Sequence, residues 1–226
     1  MIPRSFYMQS DVVSVARELL GKRLCTRIDG IQTSGIISET EAYAGISDRA
    51  SHAYGGRRTN RTEIMYARGG TAYVYLCYGV HSLFNVVTNK EGVPHAVLIR
   101  GIDPADGIEK MKKRRGKAQA EKDFSNGPGK VAMALGIHFT HSGLDLTRIP
   151  SSHDKPAIWI EEAGSLIPPE EIITTTRIGV EYAGKDAKLP YRFLLNRVGR
   201  GIAPPPSHTT GHTFVHGGFF KLFNRS

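Results

Sequence analysis

Three closely spaced β-rich segments constrain the fold of this chain more than any other feature of its sequence. They span residues 72–78, 83–88 and 95–102. Each is rich in β-branched and aromatic residues and is bounded by turn residues, which predicts an antiparallel meander. Alternation places Tyr73 and Tyr75 on one face of the first strand. Tyr78 directly precedes Gly79, so we expect it at the tip of a hairpin.

Two further strands precede the meander. They are LCTRI and SGIISETEAY, joined by an Asp-Gly turn at residues 29–30. Alternation in the second strand places Glu39, Glu41 and Tyr43 on one face, together with Ile37. The carboxylates therefore lie beside apolar surface, where burial tends to raise a carboxylate pKa.

Helices and further strands surround this core. Residues 10–22 have apolar side chains at helical spacing, with Ser10 suited to cap the helix and Gly21 to end it in a left-handed turn. The stretch from residue 44 to residue 70 is loop-like. The remaining predicted elements are a helix with a basic end within residues 103–123, a helix from Pro128, a strand around Trp159 and a closing strand at residues 191–198.

No internal repeat and no linker divides the body of the chain. We therefore predict an α/β chain of the α+β kind, a single compact domain of residues 1–203 with an antiparallel β-sheet core. Residues 204–226 are rich in Pro, Gly and His, and are expected to form a flexible tail. A metal site is the alternative there, because three histidines recur at four-residue spacing: His208, His212 and His216.

The charge balance favours a polyanionic partner. The formal net charge is +9, and Lys and Arg side chains that neutralise phosphates gain free energy from counterion release. A dense basic run extends from Lys110 to Lys117, and a solvated surface and a phosphate contact are both open for it. At the predicted helix that starts near Pro128, free amides and Lys130 could hold an anion.

Cysteine usage and hydropathy exclude several classes. The two cysteines, Cys25 and Cys77, are far apart and form no CxxC pair, which argues against a disulfide scaffold and a cysteine zinc site. We expect Cys77 to be a buried structural thiol. There is no apolar run of membrane-spanning length, so we expect no membrane association.

The sequence lacks the motifs of several common enzymes: a GxSxG elbow, a Walker loop, a Rossmann glycine fingerprint and HExxH. What remains is a strand carboxylate at Glu41, a loop histidine at His52, tyrosines on a hairpin and a basic surface. A carboxylate can activate water, and tyrosines can stack on a nucleobase. Each feature also has a purely structural explanation, but together they point to hydrolysis of something joined to a nucleic acid.

Several blocks, in this order, resemble the alkyladenine (3-methyladenine) DNA glycosylase family, which is distinct from the helix-hairpin-helix glycosylases. They are ETEAY, SHAYGGRRT, YVYLCYG, FNVV, VLIRGIDP, NGPGK, TRIGVEYAG and LPYRF. The resemblance covers most of the chain. It implies a compact α+β domain with a hairpin that enters the DNA minor groove.

The resemblance also implies a role for individual residues. Glu41 matches the general base that activates water, and Arg100 matches a residue that helps to hold this water. The base pocket is implied for Tyr43, His52, Tyr75 and Asn85, with Asn85 excluding normal guanine. Tyr78 matches the wedge that fills the gap left by the extruded nucleotide. Contacts with the DNA backbone are expected from Arg57, Arg58 and Lys130.

These matches predict a monofunctional glycosylase that flips out and releases damaged purines from double-stranded DNA. We expect a monomer without cofactor, metal or lyase step, and a structural role for Glu39. The location would be the bacterial cytoplasm with the nucleoid, or the nucleus in a eukaryote. His81 departs from the aromatic residue expected after the wedge. The alternative is a non-catalytic nucleic-acid-binding module of the same fold, and the choice of lesion stays open.

Overall fold

The computed structural model describes residues 1–116, 125–164 and 167–196. Within these ranges the α-helices are α1 (Arg4–Tyr7), α2 (Val12–Glu18), α3 (Ile108–Arg115) and α4 (Pro128–Leu135). The strands are β1 (Arg23–Ile28), β2 (Ile31–Tyr43), β3 (Ala72–Cys77), β4 (His81–Thr88), β5 (His95–Asp106), β6 (Ala157–Glu161), β7 (Ile172–Thr175) and β8 (Arg192–Leu195). Short 3₁₀ turns occupy parts of the loop between β2 and β3.

The strands form one antiparallel sheet in the order β3-β4-β5-β2-β1-β6. β8 pairs with β2 over the stretch that contains Glu41, and β7 pairs with β8. The predicted meander is β3, β4 and β5. Helices and a long loop cover the sheet, which confirms a single compact domain of the α+β class.

Both predicted hairpins are present, and both turns have positive φ at their two central residues. Asp29 and Gly30 connect β1 to β2 with φ values of 55° and 70°. Tyr78 and Gly79 lie at the β3–β4 tip with φ values of 51° and 71°. Positive φ at both central positions is what a type I′ turn requires, and glycine adopts it without strain.

An irregularity in the β2–β5 ladder sets the site apart from the core. Glu39 pairs with Gly101, out of register with the flanking pairs Ile37–Ile102 and Thr40–Ile99, so the ladder is irregular on both sides of Glu39. Bulges of this kind bend a strand and redirect its side chains. As a result, Ile37 packs into the main core with Ile99 and Ile102 and does not share the face of Glu41, which alternation predicted.

Helix α2 covers the core side of β2. Thr40 Oγ1 donates a hydrogen bond to the Ala16 carbonyl of α2 at 2.8 Å. The helix is shorter than predicted, and its cap is Asp11 rather than Ser10, because the Asp11 carboxylate accepts a hydrogen bond from the Val13 amide at 3.0 Å. Gly21 has the left-handed conformation that was expected there.

The other predictions have mixed outcomes. α3 has the predicted basic end, and β6 contains Trp159. Three predicted features lie partly or wholly outside the described residues. They are the basic run at Lys117, the last two residues of the predicted closing strand, and residues 204–226 with their three histidines. In the described ranges, no helix combines the length and apolar character needed to cross a membrane.

Candidate active site

A cavity of about 500 Å³ opens where the meander meets the loops that follow β2 and β7. Its size is in the range of pockets that enclose small organic ligands. Six residues singled out by sequence border it: Tyr43, His52, Tyr75, Tyr78, Asn85 and Arg100. The fold therefore brings together side chains from β2, β3, β4, β5 and the hairpin tip.

Glu41 lies immediately behind this cavity and does not border it. Its side chain is fully buried. Oε2 accepts hydrogen bonds from the Tyr43 hydroxyl at 2.8 Å and from Arg100 Nη1 at 3.4 Å, and Oε1 accepts one from the Ile178 amide at 2.8 Å. All three donor residues border the cavity. The carboxylate is thus one side chain away from the cavity space.

Burial and hydrogen bonding act in opposite directions on Glu41. Removal from water raises its pKa, whereas the Arg100 charge and the hydrogen bonds from Ile178 and Tyr43 lower it. Burial prevails, so the carboxyl group takes up a proton at a higher pH than an ordinary glutamate. The pKa of Tyr43 is also raised, first by burial and then by the neighbouring Glu41 charge, so Tyr43 acts as a hydrogen-bond donor.

A charged network behind the cavity fixes Arg100. Arg100 Nε donates to Glu39 Oε1 at 2.9 Å, and Arg192 Nε donates to the same oxygen at 2.6 Å. All three side chains are at most 18% exposed, so solvent weakens these ion pairs little. Glu39 therefore holds Arg100 beside Glu41, a structural role that agrees with the one expected from the sequence.

His52 is held as a neutral ring in a defined tautomer. Its Nε2 lies 3.1 Å from Arg61 Nη2, and because a guanidinium can only donate, Nε2 is the acceptor. The ring proton is then on Nδ1, which donates to the Tyr73 hydroxyl at 2.8 Å. Burial, followed by the charges of Arg61 and Arg57, lowers the pKa of His52 to about 4.

Aromatic rings form the rest of the wall. The Tyr73 and Tyr75 rings lie 5.4 Å apart, and His52 meets Tyr75 edge to face at 4.7 Å. The Arg61 guanidinium lies 4.7 Å from the centre of the Tyr75 ring. Sequence reasoning identified Tyr75 and missed Arg61 and the bond between Tyr73 and His52. Alternation had placed Tyr73 on the same face as Tyr75, and this could have indicated that Tyr73 also belongs to the wall.

Asn85 extends this wall from β4. Its side chain is buried, and Nδ2 donates to the carbonyls of Tyr73 at 3.2 Å and Leu83 at 3.4 Å. These contacts fix the amide on the cavity side of the β3–β4 ladder. A ligand in the cavity would therefore meet a rigid side chain at this position.

The hairpin tip projects an aromatic side chain into solvent. Tyr78 is 94% exposed and nonetheless has a φ of 51°, a conformation that bulky residues seldom adopt. Cys77 next to it borders the cavity and is only partly buried, so the expectation of a buried thiol is wrong. The reason is that Cys77 is the last residue of β3, beyond the packed part of the sheet.

The three residues expected to contact a phosphate backbone differ in their surroundings. Arg57 is exposed, and Lys130 lies in the first turn of α4, whose Pro128 borders the cavity. Arg58 already makes two hydrogen bonds of 2.7 Å with the Glu63 carboxylate and lies over the Tyr66 ring. Arg57 and Lys130 are therefore the better placed to bind an anion.

The turn after β7 contributes residues to which the sequence assigned no role. Ile178 supplies the amide that binds Glu41, and the preceding Arg177 is a buried cation paired with Asp48. The sequence feature that could have identified them is the TRIGV block, which contains an arginine next to a glycine-containing turn. Among the described residues, no three His, Cys, Asp or Glu side chains are grouped as a metal site would need.

This arrangement suits a flat, electron-poor ring between aromatic walls and a carboxylate that accepts a proton from water behind it. Comparisons with known proteins identify the family. The sequence model of the methylpurine-DNA glycosylase family matches residues 5–198.

Relatives assigned by name as 3-methyladenine DNA glycosylases match along nearly their whole length. One from Chlamydia felis is 48% identical over 200 residues, which cover 87% of this chain and 96% of the relative. One from Bacillus thuringiensis is 45% identical over 204 residues, covering 84% and 93%, and one from Clostridium perfringens is 44% identical over 199 residues, covering 85% and 94%. The chain therefore belongs to the methylpurine-DNA glycosylase family and is a hydrolytic DNA N-glycosylase of base-excision repair.

Proposed function

We propose that this enzyme flips alkylated or deaminated purines out of double-stranded DNA and hydrolyses their N-glycosidic bond, with Glu41 as the general base. The observation that carries the proposal is the position of Glu41. It is a buried carboxylate held by three donors, each of which belongs to a residue that borders an aromatic cavity. Within the described residues no carboxylate borders this cavity, and Glu41 is the one that accepts hydrogen bonds from three residues of its wall.

Extrusion of the nucleotide is required because the glycosidic bond of a stacked purine is out of reach inside a duplex. The gap left in the stack would be filled by Tyr78, whose exposed ring at a hairpin tip has the shape of a wedge for the minor groove. The extruded base would then enter between Tyr43, His52 and Tyr75.

The aromatic walls favour a damaged purine in particular. Stacking on an aromatic side chain contributes about 1–3 kcal/mol per base, and a cationic base gains further attraction to the tyrosine rings. Neutral His52 adds no positive charge that would repel such a base. Normal guanine would be excluded by a clash between its exocyclic amine and Asn85. Two hydrogen bonds to backbone carbonyls hold the Asn85 side chain in place.

Water reaches Glu41 only if one of the donors on the carboxylate gives way. Arg100 makes the longest hydrogen bond, at 3.4 Å, and it would remain anchored through Glu39 while its free nitrogens hold the water. Glu41 takes the proton as the water oxygen attacks C1′, and its negative charge stabilises the oxocarbenium-like sugar. The electrons of the breaking C–N bond leave with the purine.

The chemistry of the lesion determines how much catalysis the departure of the base requires. 3-Methyladenine, for which the relatives are named, and 7-methylguanine are cationic in DNA and leave readily, so one carboxylate is enough. Hypoxanthine and ethenoadenine are neutral and leave less readily. We propose the cationic purines as the principal substrates and the neutral ones as slower substrates.

The proposal includes neither a lyase step nor a second subunit. None of the residues that border the cavity is a lysine, so the described site offers no amine for attack on the sugar. We propose a monomer that contacts the DNA backbone through Arg57 and Lys130, with a smaller part for Arg58 because of its pairing with Glu63.

Replacement of the base tests the proposal. Glu41→Gln should still bind a duplex with one damaged purine, because the walls and wedge are unchanged, but should lose at least about 100-fold in single-turnover base release, the typical contribution of a general base. Glu18→Gln, on the surface of α2, is the matched control and should react like the wild type. Base release by Glu41→Gln at the rate of the control would refute the assignment of Glu41.

A further inference from the structure

We propose that Arg177 is a positioning residue of the reaction, which holds the Ile178 amide on Glu41 and the Tyr43 ring against the cavity. The inference rests on the proposed function, because it takes Glu41 to be the base.

The guanidinium of Arg177 joins three separate parts of the chain. It makes a two-pronged ion pair with Asp48, in which Nη1 donates to Oδ2 and Nη2 donates to Oδ1 at 2.9 Å. Nη1 also donates to the Ala42 carbonyl of β2 at 2.9 Å, and Nη2 donates to the Asp186 carbonyl at 3.1 Å. The Arg177 and Asp48 side chains are at most 1% exposed. Four hydrogen bonds from the two Nη atoms to three fixed acceptor groups restrict the guanidinium to this geometry, whereas its buried Nε has no hydrogen-bond partner among the described residues.

The same guanidinium lies over the ring of a cavity wall. Its central carbon is 4.9 Å from the centre of the Tyr43 ring and 5.3 Å from that of Tyr191. Tyr43 borders the cavity but Arg177 does not, so the cation supports the ring from the side away from the cavity. Because the ring is held, the Tyr43 hydroxyl that donates to Glu41 is held as well.

Ile178 follows Arg177 directly, and this order in the chain connects the ion pair to the base. The Ile178 amide donates to Glu41 Oε1 at 2.8 Å. Because the Arg177 side chain is anchored to β2 and to Asp48, the peptide that carries this amide cannot turn away from Glu41 without breaking several buried bonds. An amide that stays aimed at the carboxylate favours its ionised form, which is the form that accepts a proton.

Asp48 extends the effect to the loop that leads to His52. Its Oδ2 accepts from the Ala44 amide and its Oδ1 from the Ala50 amide, both at 3.0 Å. The carboxylate therefore shapes the loop even without the ion pair. The substitution Asp48→Asn removes the charge and keeps one oxygen acceptor, so one of the two loop hydrogen bonds is retained and the other, where the new NH2 group faces a backbone amide, is lost.

The charges that face Glu41 come from several elements. They are Glu39 and Tyr43 on β2, Tyr75 on β3, Arg100 on β5, and Arg177 in the turn after β7, with Arg192 on β8 pairing with Glu39. Loss of Arg177 removes one nearby cation and releases one amide donor, and both changes raise the pKa of Glu41. Loss of a hydrogen bond to an ionised group corresponds to about one to two pKa units.

The test compares the pH dependence of single-turnover base release from a duplex with one hypoxanthine. The variants are Arg177→Met and the double variant Arg177→Met/Asp48→Asn. The double variant leaves no buried carboxylate unpaired and carries the test if the single variant does not fold. We expect the acidic limb of the rate profile to move to higher pH by about one unit or more, so that alkaline buffer restores part of the lost rate.

Arg4→Met is the matched control, since Arg4 also pairs with an aspartate and binds a carbonyl but does not border the cavity. It should lower the melting temperature and leave the acidic limb unchanged. An acidic limb that also stays unchanged in a folded Arg177 variant, with the rate lowered equally at every pH, would overturn the inference and leave the proposed function standing. An active Glu41→Gln would overturn the proposed function and the inference together.

Discussion

At the scale of single residues, the site depends on a carboxylate that the fold keeps away from solvent. Glu41 has no exposed surface, yet its hydrogen-bond partners form the wall of the cavity. This burial raises its pKa, and an acid with a raised pKa is a stronger base once ionised. The proposed role of Glu41 as general base therefore requires a balance, because too high a pKa would leave the group protonated at working pH.

His52 makes folding stability depend on pH in a predictable direction. Its pKa is about 4 in the folded protein and 6.5 for an ordinary histidine. Between these values the unfolded chain binds a proton that the folded chain does not, so stability is full above pH 6.5 and falls as the pH drops towards 4. The loss is at most about 3 kcal/mol. His52→Gln cannot titrate and should lack this part of the loss when unfolding free energies are measured by urea denaturation at pH 7 and pH 4.5. Equal losses in variant and wild type would contradict a buried neutral His52.

The positions of single residues around the cavity could be predicted from the sequence only in part. Tyr43, Tyr75 and Arg100 were found because they stand in recognisable blocks, and the cavity indeed has all three in its wall. The sequence predicted that Glu41 lies beside apolar surface, but not that it lies behind this wall, since that position depends on a contact with Ile178 at a separation of 137 residues. The importance of Arg177 was hidden for the same reason: its partner Asp48 lies in a loop with no regular pattern.

At the scale of elements, Gly30 and Gly79 predicted the two hairpin turns well, because the tolerance of glycine for positive φ is a local property. The bulge between β2 and β5 was not predictable, because a shift of register depends on which strand lies opposite. Its effect is nonetheless large, since Arg100 reaches Glu39 and Glu41 from this irregular part of β5 while Ile99 and Ile102 both pack in the core. Strict alternation would have predicted otherwise for Ile37.

The hairpin that carries Tyr78, the proposed wedge, should show opposite effects on stability and on activity. Tyr78 has a φ of 51°, and a residue other than glycine in this conformation costs about 1 kcal/mol. Tyr78→Gly should therefore keep or raise the free energy of unfolding, while base release slows because extrusion of the nucleotide loses its wedge. Thermal melts and single-turnover rates measure the two effects.

The other hairpin offers a matched control. Asp29 has a φ of 55°, so Asp29→Gly should bring the same relief of strain without any change in base release. Base release by Tyr78→Gly at the wild-type rate would contradict the wedge.

At the scale of the whole molecule, a net charge of +9 should make DNA affinity depend steeply on salt. For duplex DNA, the slope of log affinity against log salt is about −0.9 for each phosphate neutralised. Arg57→Gln and Lys130→Gln should each make the slope shallower by about this amount, and Arg58→Gln by less, because of Glu63. Lys155→Gln is a control outside the cavity. Anisotropy titrations from 50 to 300 mM salt, about the range in which such slopes are measured, would test this, and identical slopes for Arg57→Gln and Lys155→Gln would exclude Arg57 as a phosphate contact.

The domain as a whole was predictable because its strands follow one another along the chain with clear turn signals. Membership of the methylpurine-DNA glycosylase family, matched over residues 5–198, agrees with this layout. The arrangement of the wall around Glu41 is a property of the whole sheet and its loops. This arrangement requires β8 and the turn after β7 to lie against β2. No local sequence pattern predicts this long-range contact.

The most direct test of the central claim is single-turnover base release from duplexes that carry one alkylated adenine or one hypoxanthine. Wild type and Glu41→Gln are compared, and strand breaks are counted before and after treatment with alkali. We predict breaks for the wild type only after alkali, and almost none for Glu41→Gln. Breaks before alkali would reveal a lyase nucleophile, and equal release by the two proteins would show that Glu41 is not the base.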